Sequence, residues 1–160
     1  MEQVVGDLLK QGSRRISVAE SCTGGLLASR LTDVPGSSDY VERGIVAYSN
    51  DAKVELLGVP AEMIGEHGAV SEPVAIAMAR GVSGRSRVEI GVGVTGIAGP
   101  GGGTDRKPVG MVCIAVARPG LSPEDVRVRT FRFLGGRGLV KSQAAQAGLD
   151  MVRRWLLERP

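Results

Sequence analysis

The alternation of apolar and polar positions divides the chain into helix-like and strand-like segments that follow one another in turn. Val4, Val5, Leu8 and Leu9 keep helical spacing up to Gly12, and "RRISVA" then reads as a short strand with Ile16 and Val18 on one face. Leu27, Leu31 and Val34 resume the helical period until Pro35-Gly36. "RGIVAYSN" predicts a second strand, followed by a short helix that Asn50 caps and Gly58 ends. Ser71 stands where it would cap a longer helix, with Val74, Ala77, Met78 and Val82 on the inner face. "RVEIGVGVTG" reads as a buried strand, "GIAGPGGGTDRKPVG" as a long loop, and "MVCIAVA" as another buried strand. "VRVRTFRF" alternates in the manner of an edge strand. A last helix, from about Leu139, turns Ala145, Leu149, Val152 and Leu156 inward.

This order predicts a three-layer α/β/α sandwich with a mixed, mostly parallel sheet, the last two strands forming an antiparallel hairpin at one side. Ligands of such sheets sit beyond the carboxyl ends of the strands. Three of those ends are expected at one rim: the one before Ser21, the one ending at Tyr48 and the one before Thr95.

Composition narrows the picture. A chain of 160 residues suits one domain, spanning 1–160. With 42% hydrophobic and 23% charged residues, and no apolar run near the ~20 residues of a membrane span, neither disorder nor a membrane protein is indicated. The net charge of +3 is dispersed among interleaved acids and aromatics make up 3%, so neither a basic stripe nor a base-stacking platform marks a nucleic-acid partner. A ligand carrying one or two phosphates fits this charge. Cys22 and Cys113 are too few for a disulfide framework, and "MEQVVGDLLKQG" shows no signal-peptide pattern, so a cytoplasmic protein is expected. Exposed edge strands make a homo-oligomer the expected assembly.

Candidate chemistry gathers at "VAESCTGG", where a hydroxyl and a thiol adjoin between an apolar run and two glycines. Ser21 falls just past a strand, with a helix beginning near Gly24, so backbone N–H groups there can hold an anion or an oxyanion. Ser21 or Thr23 as a simple helix cap fits the same pattern. A cysteine nucleophile ordinarily works with a histidine, and the chain's one histidine, His67, reads as part of a loop between helices. Cys22 therefore reads as a small buried residue. Lys53 is the alternative base for Ser21: in the first turn of a helix capped by Asn50, the macrodipole lowers its pKa. A solvated surface lysine is the competing reading. Tyr48, at the strand end, is placed to relay a proton or hold Lys53, or simply to fill the core.

Residues 91–96 spell G-x-G-x-x-G, but the glycines lie within the predicted strand and no helix follows, so no dinucleotide fold is implied. "TGIAGPGGG" reads as a loop that embraces a ligand. Without C-x-x-C, H-E-x-x-H or paired histidines, no metal and no cofactor is expected.

"AESCTGG", "GSSDYVERGIVAYSNDAKVELLGV", "HGAVSEPVA" and "GVTGIAGPGGGTDRKPVGMVCIAVA", in this order and spacing, resemble the CinA C-terminal domain family. The resemblance runs from about Met1 to Trp155. The enzymatically active members of that family are nicotinamide mononucleotide deamidases, so the resemblance implies an amidohydrolase converting nicotinamide mononucleotide and water to nicotinate mononucleotide and ammonia in pyridine-nucleotide salvage. It implies that Ser21 is the nucleophile, Lys53 its base and Tyr48 a third catalytic group. Thr23, Gly24 and Gly25 would serve the oxyanion, and Asn50, Thr95, Gly96, Gly99, Arg137 and Lys141 the substrate. The family commonly shows G-D-R followed by a second arginine, whereas this chain has Gly135-Gly136-Arg137 and then Lys141. Charge on the phosphate survives that change better than bidentate geometry does. On this resemblance the further N-terminal domain of longer CinA proteins is expected to be absent, and the competing expectation is a non-catalytic nucleotide-binding or interaction domain tied to competence and DNA damage.

Overall fold

The computed structural model describes residues 1–120 and 122–158, so residue 121 and the last two residues of the expected domain lie outside it. Six helices and five strands alternate in the order α1 (Glu2–Gln11), β1 (Ile16–Glu20), α2 (Leu26–Thr32), β2 (Val41–Val46), α3 (Asn50–Leu57), α4 (Ala61–His67), α5 (Glu72–Ser86), β3 (Ile90–Gly96), β4 (Met111–Ala117), β5 (Val126–Arg132) and α6 (Arg137–Glu158). No helix among the described residues is long and apolar enough to cross a membrane.

The strands form one mixed sheet in the order β2-β1-β3-β4-β5. β1 pairs parallel with β2 and β3, while β4 is antiparallel to both β3 and β5. Four strands thus point one way and β4 alone opposes them, which is the mostly parallel sheet with a hairpin at one side. Glu20 stands level with Val46 on one neighbour and Val94 on the other. The expected rim forms from this register, since Ser21, Ala47 and Thr95 each follow the aligned ends.

Period-two alternation assigns the two faces. Ile16, Val18, Val92, Val94 and Ile114 pack under α1, α2 and α6 in the larger core, which Trp155, Leu149 and Leu27 complete. On the opposite face, Ala19 meets α3, α4 and α5, and Ala115 meets Ala75 and Ala79 of α5. Of the glycines in 91–96, Gly91 and Gly93 belong to this face. A Cβ on Gly91 would stand 2.0 Å from the Ala79 carbonyl oxygen, and one on Gly93 2.2 Å from that of Ala75. Both are glycine because the backbone of α5 rests directly on β3, while a Cβ on Gly96, on the other face, would stand 2.7 Å from Val112 Cγ2 and 2.9 Å from Cys22 Sγ, so the G-x-G-x-x-G spelling reflects packing on both faces.

Several local expectations are corrected. Ser49, not Asn50, caps α3: its Oγ accepts from Ala52 N–H at 3.0 Å, and Asn50 is the first helical residue. α4 is absent from the sequence reading, and His67 is its last residue instead of part of a loop. Ser71 does precede α5, but its hydroxyl donates to the Gly68 carbonyl at 2.9 Å. α6 begins at Arg137, two residues before the predicted start.

Gly91→Ala is expected to destabilise the protein by about 1–3 kcal/mol or more, because neither backbone can yield without separating layers. Gly84→Ala, exposed on α5 with nothing within 4 Å of the new methyl, should be neutral or stabilising by about 0.5–1 kcal/mol. Urea unfolding of the two variants reads the difference.

Candidate active site

β1 ends inside the sheet, and the chain leaves it through a five-residue turn held at both ends. Ser21 N–H donates to the Val94 carbonyl at 2.9 Å, and Ala47 N–H to that of Glu20 at 2.8 Å. Within the turn Gly24 and Gly25 take φ of +63° and +94°, conformations that side chains rarely adopt. Gly24 N–H closes the turn on the Ser21 carbonyl at 3.1 Å. The start of α2 has no side-chain cap from Gly25. Its orphan donors go to Glu20, 1% exposed, whose Oε2 accepts from Gly25 and Leu27 N–H at 3.1 and 3.0 Å and whose Oε1 accepts from Ala28 N–H at 2.8 Å. Sequence reasoning missed Glu20. The signal was an acid closing an apolar strand ahead of a helix that lacks its own capping residue.

Lys53 reaches the same place from α3. Helical side chains lean toward the N-terminus of their helix, so its amine runs back over the segment joining β2 to α3. There Nζ lies 3.2 Å from the Ala47 carbonyl, 3.3 Å from that of Tyr48 and 3.4 Å from that of Ser49, and 3.1 Å from Ser21 Oγ. The residue is 2% exposed. Burial holds its pKa below the ordinary lysine value of 10.5. The expected direction is therefore found with a different cause, desolvation in place of the macrodipole.

Ser21, Tyr48, Asn50, Lys53, Thr95, Gly96, Gly99 and Arg137 line one cavity of about 270 Å³. Tyr48 is 60% exposed at its mouth. Its hydroxyl accepts from Arg137 Nη2 at 2.9 Å, while Arg137 Nη1 donates to the Gly99 carbonyl at 2.9 Å. Tyr48 thus holds Lys53 through its carbonyl, and its phenol ties Arg137 to the rim. The buried Thr95 hydroxyl donates to the Ala69 carbonyl at 2.8 Å, which fixes the segment before α5 as a wall. That wall, Ala69 and Val70, is a part of the site that the sequence did not reveal. Thr23, Gly24, Gly25 and Lys141 do not line the cavity. Thr23 is fully buried, its hydroxyl unpartnered among the described residues, and Lys141 Nζ lies 3.5 Å from where a Cβ on Gly24 would stand.

Cys22 lines the cavity floor but is buried. Loss of solvent, helped by the Glu20 charge, pushes its thiol up to about 12. His67 does not line the cavity and its side chain is exposed beside Glu66. Among the described residues no group of three or more His, Cys, Asp or Glu side chains stands close enough to hold a metal ion.

The chain matches the model of the CinA C-terminal domain over residues 1–156. It is 51% identical to a CinA-like protein of Syntrophobacter fumaroxidans and 53% identical to one of Chlorobium limicola, with 99% of this chain covered in each case. It spans only 36% and 37% of those relatives' lengths. Among solved structures, a competence/damage-inducible protein from Agrobacterium tumefaciens superposes with a TM-score of 0.88 at 40% identity, covering 97% of this chain and 94% of that one. A competence damage-inducible protein A from Klebsiella pneumoniae gives a TM-score of 0.93 at 31% identity, covering 99% and 96%.

A thiol titrating near 12 is about one part in ten thousand thiolate at pH 8. Cys22 of the folded protein should therefore resist iodoacetamide at that pH and react once urea unfolds the chain. Mass spectrometry of the alkylated peptides measures this, and rapid native labelling at Cys22 would contradict the burial argument.

Proposed function

The chain belongs to the CinA C-terminal domain family, and on that premise we propose that it is a nicotinamide mononucleotide amidohydrolase working through a serine nucleophile and a lysine base. The observation that carries the reading is the Lys53 amine, buried and 3.1 Å from Ser21 Oγ on the floor of the cavity. A neutral amine is the favoured form under desolvation, and it has two N–H donors and one lone pair. The donors stay on the carbonyls of residues 47–49, and the lone pair turns to the Ser21 O–H.

Ser21 Oγ attacks the carboxamide carbon as Lys53 takes the hydroxyl proton. The resulting ammonium returns that proton to the departing nitrogen, ammonia leaves, and an ester to Ser21 remains. Water attacks the ester with Lys53 again as base, and nicotinate mononucleotide is released. The positive pyridinium ring draws electrons from the carboxamide and makes its carbon a better electrophile. Small-molecule pockets commonly run about 300–1,000 Å³, so a cavity of about 270 Å³ supports one mononucleotide over a dinucleotide. Arg137 supplies positive charge at the mouth for the phosphate, beside the backbone of Gly99, Gly101 and Gly102.

Purified protein given nicotinamide mononucleotide without added metal should release ammonia and nicotinate mononucleotide in equal amounts. Ser21→Ala and Lys53→Ala should each lower kcat by about a thousandfold or more. Lys53→Arg should be equally inactive, because a guanidinium does not give up its proton. Full turnover by Ser21→Ala would sink the scheme.

Because only the deprotonated amine is a base, kcat/KM should rise with pH and level off once Lys53 has lost its proton. The lowered pKa of Lys53 places that rise below the 10.5 of an ordinary lysine, and a pH–rate profile locates it. Removing Arg137 as Ala should raise KM for the mononucleotide by about 10-fold or more, the value of a charge-assisted hydrogen bond, and leave the phosphate-free riboside unaffected.

A further inference from the structure

We propose that Glu20 is a positioning residue for the nucleophile: by taking the N–H groups at the start of α2 it locks the turn that carries Ser21 and leaves Cys22 N–H as the oxyanion donor. This rests on Ser21 being the nucleophile, as proposed above.

The donors of the turn can be accounted for one at a time. Ser21 N–H is on Val94, Gly24 N–H on the Ser21 carbonyl, and Leu26 N–H on that of Thr23 at 3.4 Å. Gly25, Leu27 and Ala28 donate to Glu20. Cys22 and Thr23 N–H donate to no other residue among the described ones, and of the two residues only Cys22 lines the cavity. The N–H of the residue after a nucleophilic serine is a recurrent oxyanion donor, because the turn that exposes the hydroxyl brings that N–H to the same side. Gly24 and Gly25, two of the three donors expected from the sequence, are already engaged.

A cap alone does not require this arrangement. Ser, Thr, Asp or Asn at the residue before α2 would cap the helix through Leu27 or Ala28 N–H without burying an acid, which is costly in the absence of strong partners. Glu20 is instead the residue immediately before Ser21, its carbonyl accepts from Ala47 and its carboxylate grips the first turn of α2. The side chain thereby joins the end of β1 to α2, at the residue whose backbone carbonyl also holds the segment that supplies the carbonyls around Lys53. Loosening it shifts Ser21 Oγ relative to Lys53 Nζ, and displacement of a reacting atom by about 1 Å can cost about 100-fold in rate.

The test compares wild type, Glu20→Gln and Glu20→Asp by two readouts per folded molecule: labelling of Ser21 by a fluorophosphonate, and kcat and KM on nicotinamide mononucleotide. Gln keeps the size but turns an NH₂ toward backbone donors; Asp keeps the charge with a shorter reach. Glu20→Gln is expected to lower both labelling rate and kcat by about 10–100-fold with KM within about threefold of wild type, and Glu20→Asp to fall between. If Glu20→Gln does not fold, Glu20→Asp decides by the same readouts. A lower melting temperature with labelling and kcat unchanged makes Glu20 a structural cap and overturns the inference, as does a raised KM with kcat retained. Wild type that labels at Ser21 but leaves the mononucleotide intact removes the substrate assignment alone, and the labelling rates still judge Glu20. Wild type that neither labels nor turns over overturns both.

Discussion

A lysine amine buried without a carboxylate partner is the constraint around which this end of the molecule is arranged. Lys53 makes no ion pair among the described residues, and its contacts are three backbone carbonyls and the Ser21 hydroxyl. Carbonyl dipoles offset part of the lost hydration but do not replace it, so the pKa falls. A carboxylate in their place would hold the lysine charged and remove its basicity. The three carbonyls belong to consecutive residues, 47–49, so the path from β2 into α3 has to pass over the amine. The Ser49 cap fixes that path, since its hydroxyl ties the first turn of α3 to the segment beneath which Nζ lies.

The rest of the fold brings Ser21 to that amine and keeps it there. Parallel pairing of β1 with β2 and β3 aligns three strand ends, and two different close approaches define the layers around them. α5 sits on Gly91 and Gly93, which presses one helical layer against β3 and leaves Thr95 to tie down the wall at Ala69. On the other side α2 is held by Glu20 across a turn in which two successive glycines adopt positive φ. Packing positions the sheet and a buried acid positions the turn. Ser21 lies between the two, with its backbone N–H anchored on β3.

The architecture was legible from the sequence because apolar runs mark "RVEIGVGVTG" and "MVCIAVA" as buried strands, alternation marks "VRVRTFRF" as an edge strand, and helical spacing marks the last helix. The meeting of Ser21 with Lys53 was legible for a related reason, since strand ends in such sheets converge wherever the chemistry lies. What escaped depends on contacts distant in sequence or too short to show a period. α4 has seven residues with Met63 and Ile64 its chief apolar pair and Gly65 among them, which is less than a helical stripe. Ser49 and Asn50 are both good caps, and only the hydrogen bond to Ala52 separates them. Glu20 reads as one more polar residue until its side chain is seen to be 1% exposed. The cause of the Lys53 shift was misassigned because burial of a lysine on a short polar helix cannot be read from its neighbours in the chain.

The departure at Gly136 and Lys141 bears on how the mouth of the cavity is organised. The family resemblance leads one to expect an aspartate before Arg137 to orient it, and this chain has glycine there with open space around it. Arg137 is nonetheless oriented, because Gly99 and Tyr48 accept from its two terminal nitrogens. The loop after β3 and the strand end that carries Tyr48 thus take over the role an adjacent acid would have had. The two acceptors are neutral, whereas an aspartate would cancel much of the guanidinium charge. An arginine held by a carbonyl and a phenol keeps its full charge for an anion at the mouth, and its attachment to Tyr48 couples that anion to the segment whose carbonyls surround Lys53. Lys141, whose amine lies beside Gly24, adds positive charge near Ser21 without lining the cavity.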